Sequence, residues 1–104
     1  MPQLPKAYQR FKSEYPSVWS AYDQLGSAVH AAGPLDERSR TLVKLALSVG
    51  AQMEGATHAH TARALELGIT EAEIRHAVLL AIPTIGFPRM MAAITWVDDV
   101  LNAE

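Results

Sequence analysis

The fold is decided by residues 35–50, which read LDERSRTLVKLALSVG. Within this stretch apolar residues recur at i, i+3, i+4 and i+7, the spacing of one face of an α-helix. These residues are Leu42, Leu45, Ala46 and Val49. The carboxylate of Asp36 is placed to cap the helix, which we predict to run to about Ala51. Because Val43 and Leu47 widen the apolar face, we expect this helix to be largely buried.

Prolines and glycines divide the rest of the chain into further helical stretches. The predicted helices cover residues 5–15 and 16–32, a segment that begins within 55–58 and ends at Gly68, a segment from Thr70 to Pro83, and a last segment from Pro88 onward. The helix that ends at Pro83 is apolar on every face, which is typical of a helix buried on all sides. No stretch alternates with the period of a strand. The sequence therefore predicts an all-α fold of about six helices.

The composition points to self-association. The 104 residues fit one domain, in which 49% of residues are hydrophobic and only 19% are charged. A domain of this size buries roughly 65% of its unfolded surface, which leaves limited interior for so many apolar side chains. We therefore expect part of the surface to be buried against other copies of the chain.

Charge and residue usage exclude several classes of function. The net charge is −2 and no basic stripe is present, so we expect no nucleic-acid partner. The chain has no cysteine, which excludes disulfides, thiolate metal ligands and a cysteine nucleophile. The N-terminus lacks the apolar core of a signal peptide, and no apolar stretch approaches the roughly 20 residues of a membrane span. We expect a cytoplasmic protein with no membrane partner.

Four histidines are candidate ligands or proton carriers. They are His30, His58, His60 and His76. On a helix His58 and His60 point about 200° apart, so they are badly placed to chelate one ion together. Glu54 and His58 have the i, i+4 spacing if the helix already includes Glu54. Because nothing in the spacing predicts that the four histidines converge, we predict no metal site and no cofactor. His30 and His76 have a second interpretation, as surface or interface residues.

Two arginines stand at the start of the helix that Asp36 caps. Arg38 and Arg40 follow Asp36 and Glu37, which is typical of a solvated first turn whose charges pair with one another. In the other interpretation one arginine turns inward, and its planar guanidinium holds a carboxylate. The sequence leaves both interpretations open.

Four motifs, in order and spacing, carry a resemblance to a known family. They are L-D-x-x-[ST]-R at Leu35–Arg40, H-x-x-x-A-L-x-x-G at His60–Gly68, T-x-x-E-I at Thr70–Ile74 and G-x-P at Gly86–Pro88. Residues 35–101 resemble the carboxymuconolactone decarboxylase family, which includes the alkylhydroperoxidase D-like proteins. The resemblance implies small all-α subunits that assemble as homotrimers or homohexamers. It also implies a family domain over residues 35–104, preceded by an N-terminal helical extension over residues 1–34.

One branch of that family reduces hydroperoxides with the two thiols of a C-x-x-C-x-x-x-H motif. In this chain the cysteine positions hold Met53 and Ala56, and only the final histidine, His60, remains. Thr41 replaces the glutamate that follows the arginine in that branch, and Gly55 replaces the histidine between the cysteines. Since a thiol peroxidase needs a thiolate nucleophile, we predict no thiol peroxidase activity.

The decarboxylase branch also lacks the cysteines, and the chain resembles it more closely. In that branch the first motif is followed by a small polar residue, here Thr41, and a glutamate precedes the histidine by six residues, which matches Glu54 and His60. Leu80 and Thr84 stand where that branch has a histidine and an aromatic residue. We therefore expect a drier pocket with a different shape.

The resemblance leads us to predict a cofactor-free lyase that acts on a small carboxylated lactone. Arg40, Thr41 and His58 would bind the substrate, His60 would supply a proton, and Glu54 would orient or charge His60. A structural histidine bonded to a backbone carbonyl is the other interpretation of His60. The alternative functions are a non-catalytic homo-oligomer that binds a small molecule or a partner, and an oxidative-stress role that does not use thiols. A pocket shared by Arg40, Glu54 and His60 would favour the lyase.

Overall fold

The computed structural model describes residues 6–103, and these residues form helices and no strand. The helices are α1 Lys6–Glu14, α2 Pro16–Ala31, α3 Glu37–Gly50, α4 Glu54–Glu66, α5 Glu71–Leu79, α6 Ile82–Ile85 and α7 Phe87–Leu101. The prediction of an all-α fold is confirmed, with six long helices and the four-residue α6. The predicted start of the first helix at Pro5 lies outside the described residues.

Two helices begin at side-chain caps that the sequence predicted. The Ser39 backbone N–H donates to Asp36 Oδ1 over 2.7 Å at the start of α3. At the start of α5, Thr70 and Glu73 form a reciprocal capping box, in which each side chain accepts from the other residue's backbone N–H. Gly68, which follows α4, has a positive φ of 80°, a conformation in which glycine carries no steric penalty.

The helix predicted to run from Thr70 to Pro83 is shorter in the structure. It ends at Leu79, and after a turn the short α6 contains Pro83. If α5 continued, the Pro83 ring would meet the carbonyl of Leu79 four residues earlier, and Pro83 has no N–H to offer it. The preceding helix, α4, begins at Glu54, slightly before the predicted start within 55–58.

The core lies between α3, α4, α5 and α7, with α4 packed against both α3 and α7. Its buried apolar side chains are Leu45, Val49, Ala64, Ile69, Ile74, Val78, Met90, Ala93 and Val97. The core face of α4 also carries the buried Thr57 and Thr61, whose hydroxyls donate to helical carbonyls at 2.8 and 2.7 Å. These small residues let α4 approach its neighbours closely, and His58 and His60 lie on the two flanks of this face.

The first two helices form an arm, which we define as residues 6–31. No residue of α1 or α2 is buried, and the arm is held together by aromatic contacts such as Tyr8–Trp19, whose ring centroids are 5.0 Å apart. One face of α2 carries an exposed apolar stripe at spacings of four, three and four residues. The stripe consists of Val18, Tyr22, Leu25 and Val29.

The third helix was expected to be largely buried and the fifth to be buried on all sides, and both expectations are wrong for the single chain. Val43 and Leu47 on α3 are 47% and 66% exposed, and Leu79 and Leu80 are 45% and 58% exposed. The reason is geometric, because α3 and α5 each turn only one face to the core. Within residues 6–103, no helix has both the length and the apolar character needed to cross a membrane.

Candidate functional site

A small cavity of about 100 Å³ lies where the end of α2 meets α3 and α4. We call it the basic pocket. It is lined by His30, Glu37, Arg40, Thr41, Lys44, His60 and Arg63. Three of the residues predicted for the site, Arg40, Thr41 and His60, therefore share one cavity.

Helix α3 supplies four of the lining residues from one face, because they recur at i, i+3, i+4 and i+7. Arg40 is half-buried, and its Nη1 donates to the carbonyl of Leu35 over 2.6 Å. The Thr41 hydroxyl is buried and donates to the Glu37 carbonyl over 2.8 Å. Its single proton is therefore committed to the helix, and Thr41 can offer a ligand only acceptor lone pairs.

Arg38 has a different partner from Arg40. Its Nη2 pairs with Glu73 Oε2 and thereby links the start of α3 to α5. Arg38 therefore does not line the basic pocket. Of the two arginines, Arg40 is the one that turns toward the interior.

The basic pocket carries a local excess of positive charge. It contains Arg40, Lys44 and Arg63 against the single carboxylate of Glu37, so the formal charge is three minus one, or +2, before the histidines are counted. Arg63 Nη2 pairs with Glu37 Oε2 at 2.9 Å. Among residues 6–103, Arg40 and Lys44 form no ion pair with a carboxylate. A chain with a net charge of −2 thus holds two unpaired cations at one point, which favours an anionic ligand.

Lys44 also sets the state of both histidines in the basic pocket. Its Nζ donates to His30 Nε2 over 2.9 Å. Lys44 is the main cause of a lowered pKa at His30, with burial and Arg40 adding to it. Burial, and then Lys44, lowers the pKa of His60. Both imidazoles are therefore neutral at pH 7, and an anion bound between them would raise their pKa values again.

Glu54 and His58 lie elsewhere, in what we call the α4–α7 cluster, together with Asp99 of α7. His58 Nε2 is 2.9 Å from Asp99 Oδ2. Glu54 does not line the basic pocket, so within one subunit the expected pairing of Glu54 with His60 is not found. Residues six apart on a helix point about 120° away from each other, whereas residues four apart, such as Glu54 and His58, lie on the same side.

A larger apolar groove of about 530 Å³ runs between α3, α5 and α6. Its walls include Leu42, Ala46, Ala77 and Ile85, and its few polar groups include His76 and Glu73. Leu80 and Thr84, the two departures from the decarboxylase pattern, both line this groove and not the basic pocket.

The sequence did not single out three residues that line the basic pocket, namely Glu37, Lys44 and Arg63, and it offered His30 only as one of four candidate histidines. Lys44 carried a usable signal, because it stands four residues after Arg40 and so shares its helix face. Arg63 likewise follows His60 by three residues on α4. His30 had no such signal, since the position of α2 relative to α3 is a tertiary contact.

The model of the carboxymuconolactone decarboxylase family matches residues 16–99. This segment contains α2 through most of α7, including every residue of the basic pocket and of the α4–α7 cluster. No curated protein and no solved structure matches the chain. The division into an extension over 1–34 and a family domain over 35–104 stays a prediction, and the match begins within that extension. Because the match covers well over half of the chain, the resemblance seen in its motifs is confirmed, and the chain belongs to the carboxymuconolactone decarboxylase family.

Proposed function

We propose that the chain is a cofactor-free lyase that decarboxylates a small carboxylated lactone in the basic pocket. The observation that carries this proposal is the meeting of Arg40, Thr41 and His60 in one cavity, where Arg40 and Lys44 form no ion pair with any carboxylate in the part of the chain that the structure describes. A carboxylated substrate supplies the anion that the two cations lack. The guanidinium of Arg40 suits a carboxylate because its N–H groups match both oxygens.

The cations act on the oxygen that gains charge during the reaction. When the C–C bond to the departing carboxylate breaks, CO₂ leaves and its electron pair moves into the conjugated lactone, where the carbonyl oxygen becomes negative. A cation beside that oxygen stabilises the transition state more than the substrate. In this mechanism the substrate carries a second carboxylate that is retained and bound by Arg40, and Lys44, which lines the same cavity, is the cation for the developing enolate.

His60 moves the proton that completes the reaction. In the resting pocket its pKa is lowered by burial and by Lys44, so the imidazole begins neutral. The bound anion raises that pKa, so His60 takes up a proton from water. The imidazolium then donates this proton to a carbon of the lactone ring, which leaves His60 neutral again. Glu54 makes no contact that would charge His60 within a subunit, so the substrate itself takes the role first expected of Glu54. His58 and Glu54 have no part in this mechanism.

The size of the basic pocket supports assembly of the subunits. Its volume of about 100 Å³ holds a carboxylate-sized group, whereas pockets for whole ligands are roughly 300–1,000 Å³. The α2 stripe and the apolar groove are exposed in one subunit. We propose a homotrimer or homohexamer, in which these apolar surfaces are covered and a neighbour encloses the rest of the substrate.

The experiment is a turnover assay with the purified chain and no added metal or reductant. Carboxylated muconolactones and related β-keto acids serve as substrates, and CO₂ release and ultraviolet absorbance are the readouts. We expect turnover that falls about 10²- to 10⁴-fold in His60→Ala, the range for loss of a general acid. Activity that survives His60→Ala within a factor of a few would remove His60 from the mechanism.

His76→Ala is the comparison variant, since it removes an exposed histidine that lines the apolar groove instead. Loss of turnover in His76→Ala but not in His60→Ala would move the chemistry to that groove. A thiol peroxidase assay with an alkyl hydroperoxide and a dithiol should show no turnover, because the chain has no cysteine.

The apolar groove favours a second candidate function, a non-catalytic homo-oligomer that binds an apolar small molecule. Its volume of about 530 Å³ falls within the range of ligand pockets, and its walls are almost entirely aliphatic. Folded, oligomeric protein that turns over none of the lactones or keto acids would support this function over the lyase.

A further inference from the structure

The α4–α7 cluster brings three metal-ligating side chains together on the opposite flank of α4 from the basic pocket. Glu54 and His58 come from α4, and Asp99 comes from the last turn of α7, 41 residues after His58. One ligand atom from each residue lies within 4.8 Å of the other two. None of the three lines the basic pocket, so the cluster is a separate feature from the proposed lyase site.

The distances suit a shared cation after a small side-chain adjustment. Zn²⁺ binds imidazole nitrogen and carboxylate oxygen at about 2.0–2.2 Å, which puts neighbouring ligand atoms about 3–3.5 Å apart. His58 Nε2 and Asp99 Oδ2 are already 2.9 Å apart. Glu54 and Asp99 are exposed, so their carboxylates are free to rotate toward a common point.

The helices that carry the cluster hold it in place. Glu54 and His58 are four residues apart on α4, the spacing at which two side chains on a helix can chelate one ion. α4 packs closely on α7 through buried residues that include Thr57, Ala93 and Val97. The backbone positions of all three ligands are therefore fixed by the core before any ion binds.

Among residues 6–103, the two carboxylates of the α4–α7 cluster are not balanced by a positively charged side chain. Asp98 and Asp99 both lie in the last turn of α7, where the negative end of the helix dipole disfavours carboxylates. Arg75 pairs with Asp98 at 2.8 Å, whereas the ion-pair partner of Asp99 within residues 6–103 is His58. Among residues 6–103, no arginine or lysine forms an ion pair with Glu54 or Asp99. The cluster thus presents two carboxylates and an imidazole with no permanent positive charge.

We infer that Glu54, His58 and Asp99 form a binding site for a borderline divalent metal ion of the Zn²⁺ type. The imidazole ligand favours such ions over Ca²⁺ and Mg²⁺, which prefer oxygen alone. Three protein ligands and an exposed position leave room for water to complete the coordination. The ion takes the place of the proton shared by His58 and Asp99, and it ties the start of α4 to the end of α7. This inference does not rest on the proposed lyase function.

The test is calorimetric titration of the full chain with ZnCl₂, after treatment with a chelator and dialysis. We expect one Zn²⁺ per chain and a higher melting temperature with zinc. Binding should be about 100-fold weaker or lost in His58→Gln and Asp99→Asn, and weaker in Glu54→Gln, because loss of a direct ligand costs at least as much as loss of its outer-shell partner. Co²⁺ should give visible absorption bands that disappear in the same variants.

Matched controls separate this site from adventitious binding. His76→Ala removes an exposed histidine on α5, and Asp23→Asn removes an exposed carboxylate on the arm. Both should bind zinc as the unaltered chain does. Zinc binding that persists in folded His58→Gln, or no binding by the unaltered chain at millimolar zinc, would overturn the inference. In that case His58 and Asp99 form only a hydrogen-bonded pair.

Discussion

Lys44 Nζ lies 2.9 Å from His30 Nε2, and this contact joins the arm to the body of the subunit at the basic pocket. A lysine ammonium has no acceptor, so the imidazole must present an unprotonated nitrogen to it. The contact therefore keeps His30 neutral and leaves the lysine charge uncompensated by any carboxylate of the described residues. The charge of Lys44 also lowers the pKa of His60 on α4. Lys44 is thus the group that couples the two histidines of the basic pocket.

Removal of the Lys44 charge should raise the pKa of both histidines. We expect the larger rise at His30, for which Lys44 is the main cause of the lowered pKa, and a smaller rise at His60, for which burial is the main cause. Titration of the imidazole carbon-bound protons by NMR in Lys44→Met measures both. Lys12→Met, on the far part of the arm, is the control and should leave both pKa values in place. Unchanged values in Lys44→Met would contradict the coupling.

The lowered histidine pKa values also predict how stability depends on pH. The unfolded chain takes up protons near the ordinary histidine value of 6.5, while folded His30 and His60 resist protonation until the pH is lower. The unfolded state therefore binds more protons in this window, and stability falls as the pH is lowered through 6.5 toward the lower pKa values of the folded chain. Thermal melts across this range provide the measurement. The decrease should be smaller in Lys44→Met, and an equal decrease in both proteins would argue against the contribution of Lys44.

Arg40 should dominate the affinity of the basic pocket for carboxylates. A hydrogen bond to a charged group contributes about 1.5–3 kcal/mol, so Arg40→Ala should weaken binding of a tricarboxylate probe such as citrate roughly 10- to 150-fold. Isothermal titration gives the affinity. Arg89→Ala removes an exposed cation outside the pocket and should bind citrate normally. Since Arg40 also donates to the Leu35 carbonyl, a melting curve must show that the variant is folded.

The parts of the fold that could be predicted are those set by local physics. Asp36 and the Thr70–Glu73 pair are caps whose partners lie three residues away, so the sequence alone located the starts of α3 and α5. The end of α5 was misjudged because a proline acts four residues before its own position, at Leu79. Exposure of Leu47 could not be foreseen, since a wide apolar face predicts burial without saying whether another helix or another subunit provides it.

The candidate site likewise has a part that could be predicted from local spacing and a part that depends on how the helices pack. Arg40 and Thr41 share a helix face with Lys44, so their proximity follows from spacing. His30 enters from another helix, and its place depends on how the arm docks. Glu54 was paired with His60 on the strength of the family pattern, although six residues on a helix do not bring two side chains together. Its actual neighbour, Asp99, is 45 residues away in the sequence, and no local pattern connects them.

The exposed apolar groove provides a test of the proposed homo-oligomer. Leu80 is 58% exposed in a single subunit and lines the groove, so Leu80→Glu costs the isolated subunit little. If the groove is covered in an oligomer, the substitution loses about 1.5–3 kcal/mol of apolar burial at each copy and also buries an unpaired charge. We therefore expect Leu80→Glu to shift the protein toward monomers, as measured by light scattering after size exclusion.

Thr95→Glu provides the comparison for that prediction, because Thr95 is exposed on α7 and does not line the groove. It should assemble like the unaltered chain. Tyr22→Ser tests the α2 stripe in the same way. If both Tyr22→Ser and Leu80→Glu dissociate, the stripe and the groove are the surfaces that other copies of the chain cover. An unaltered chain that is monomeric at all concentrations would contradict the homo-oligomer. Full assembly of Leu80→Glu would instead leave the groove open, as a site for an apolar ligand.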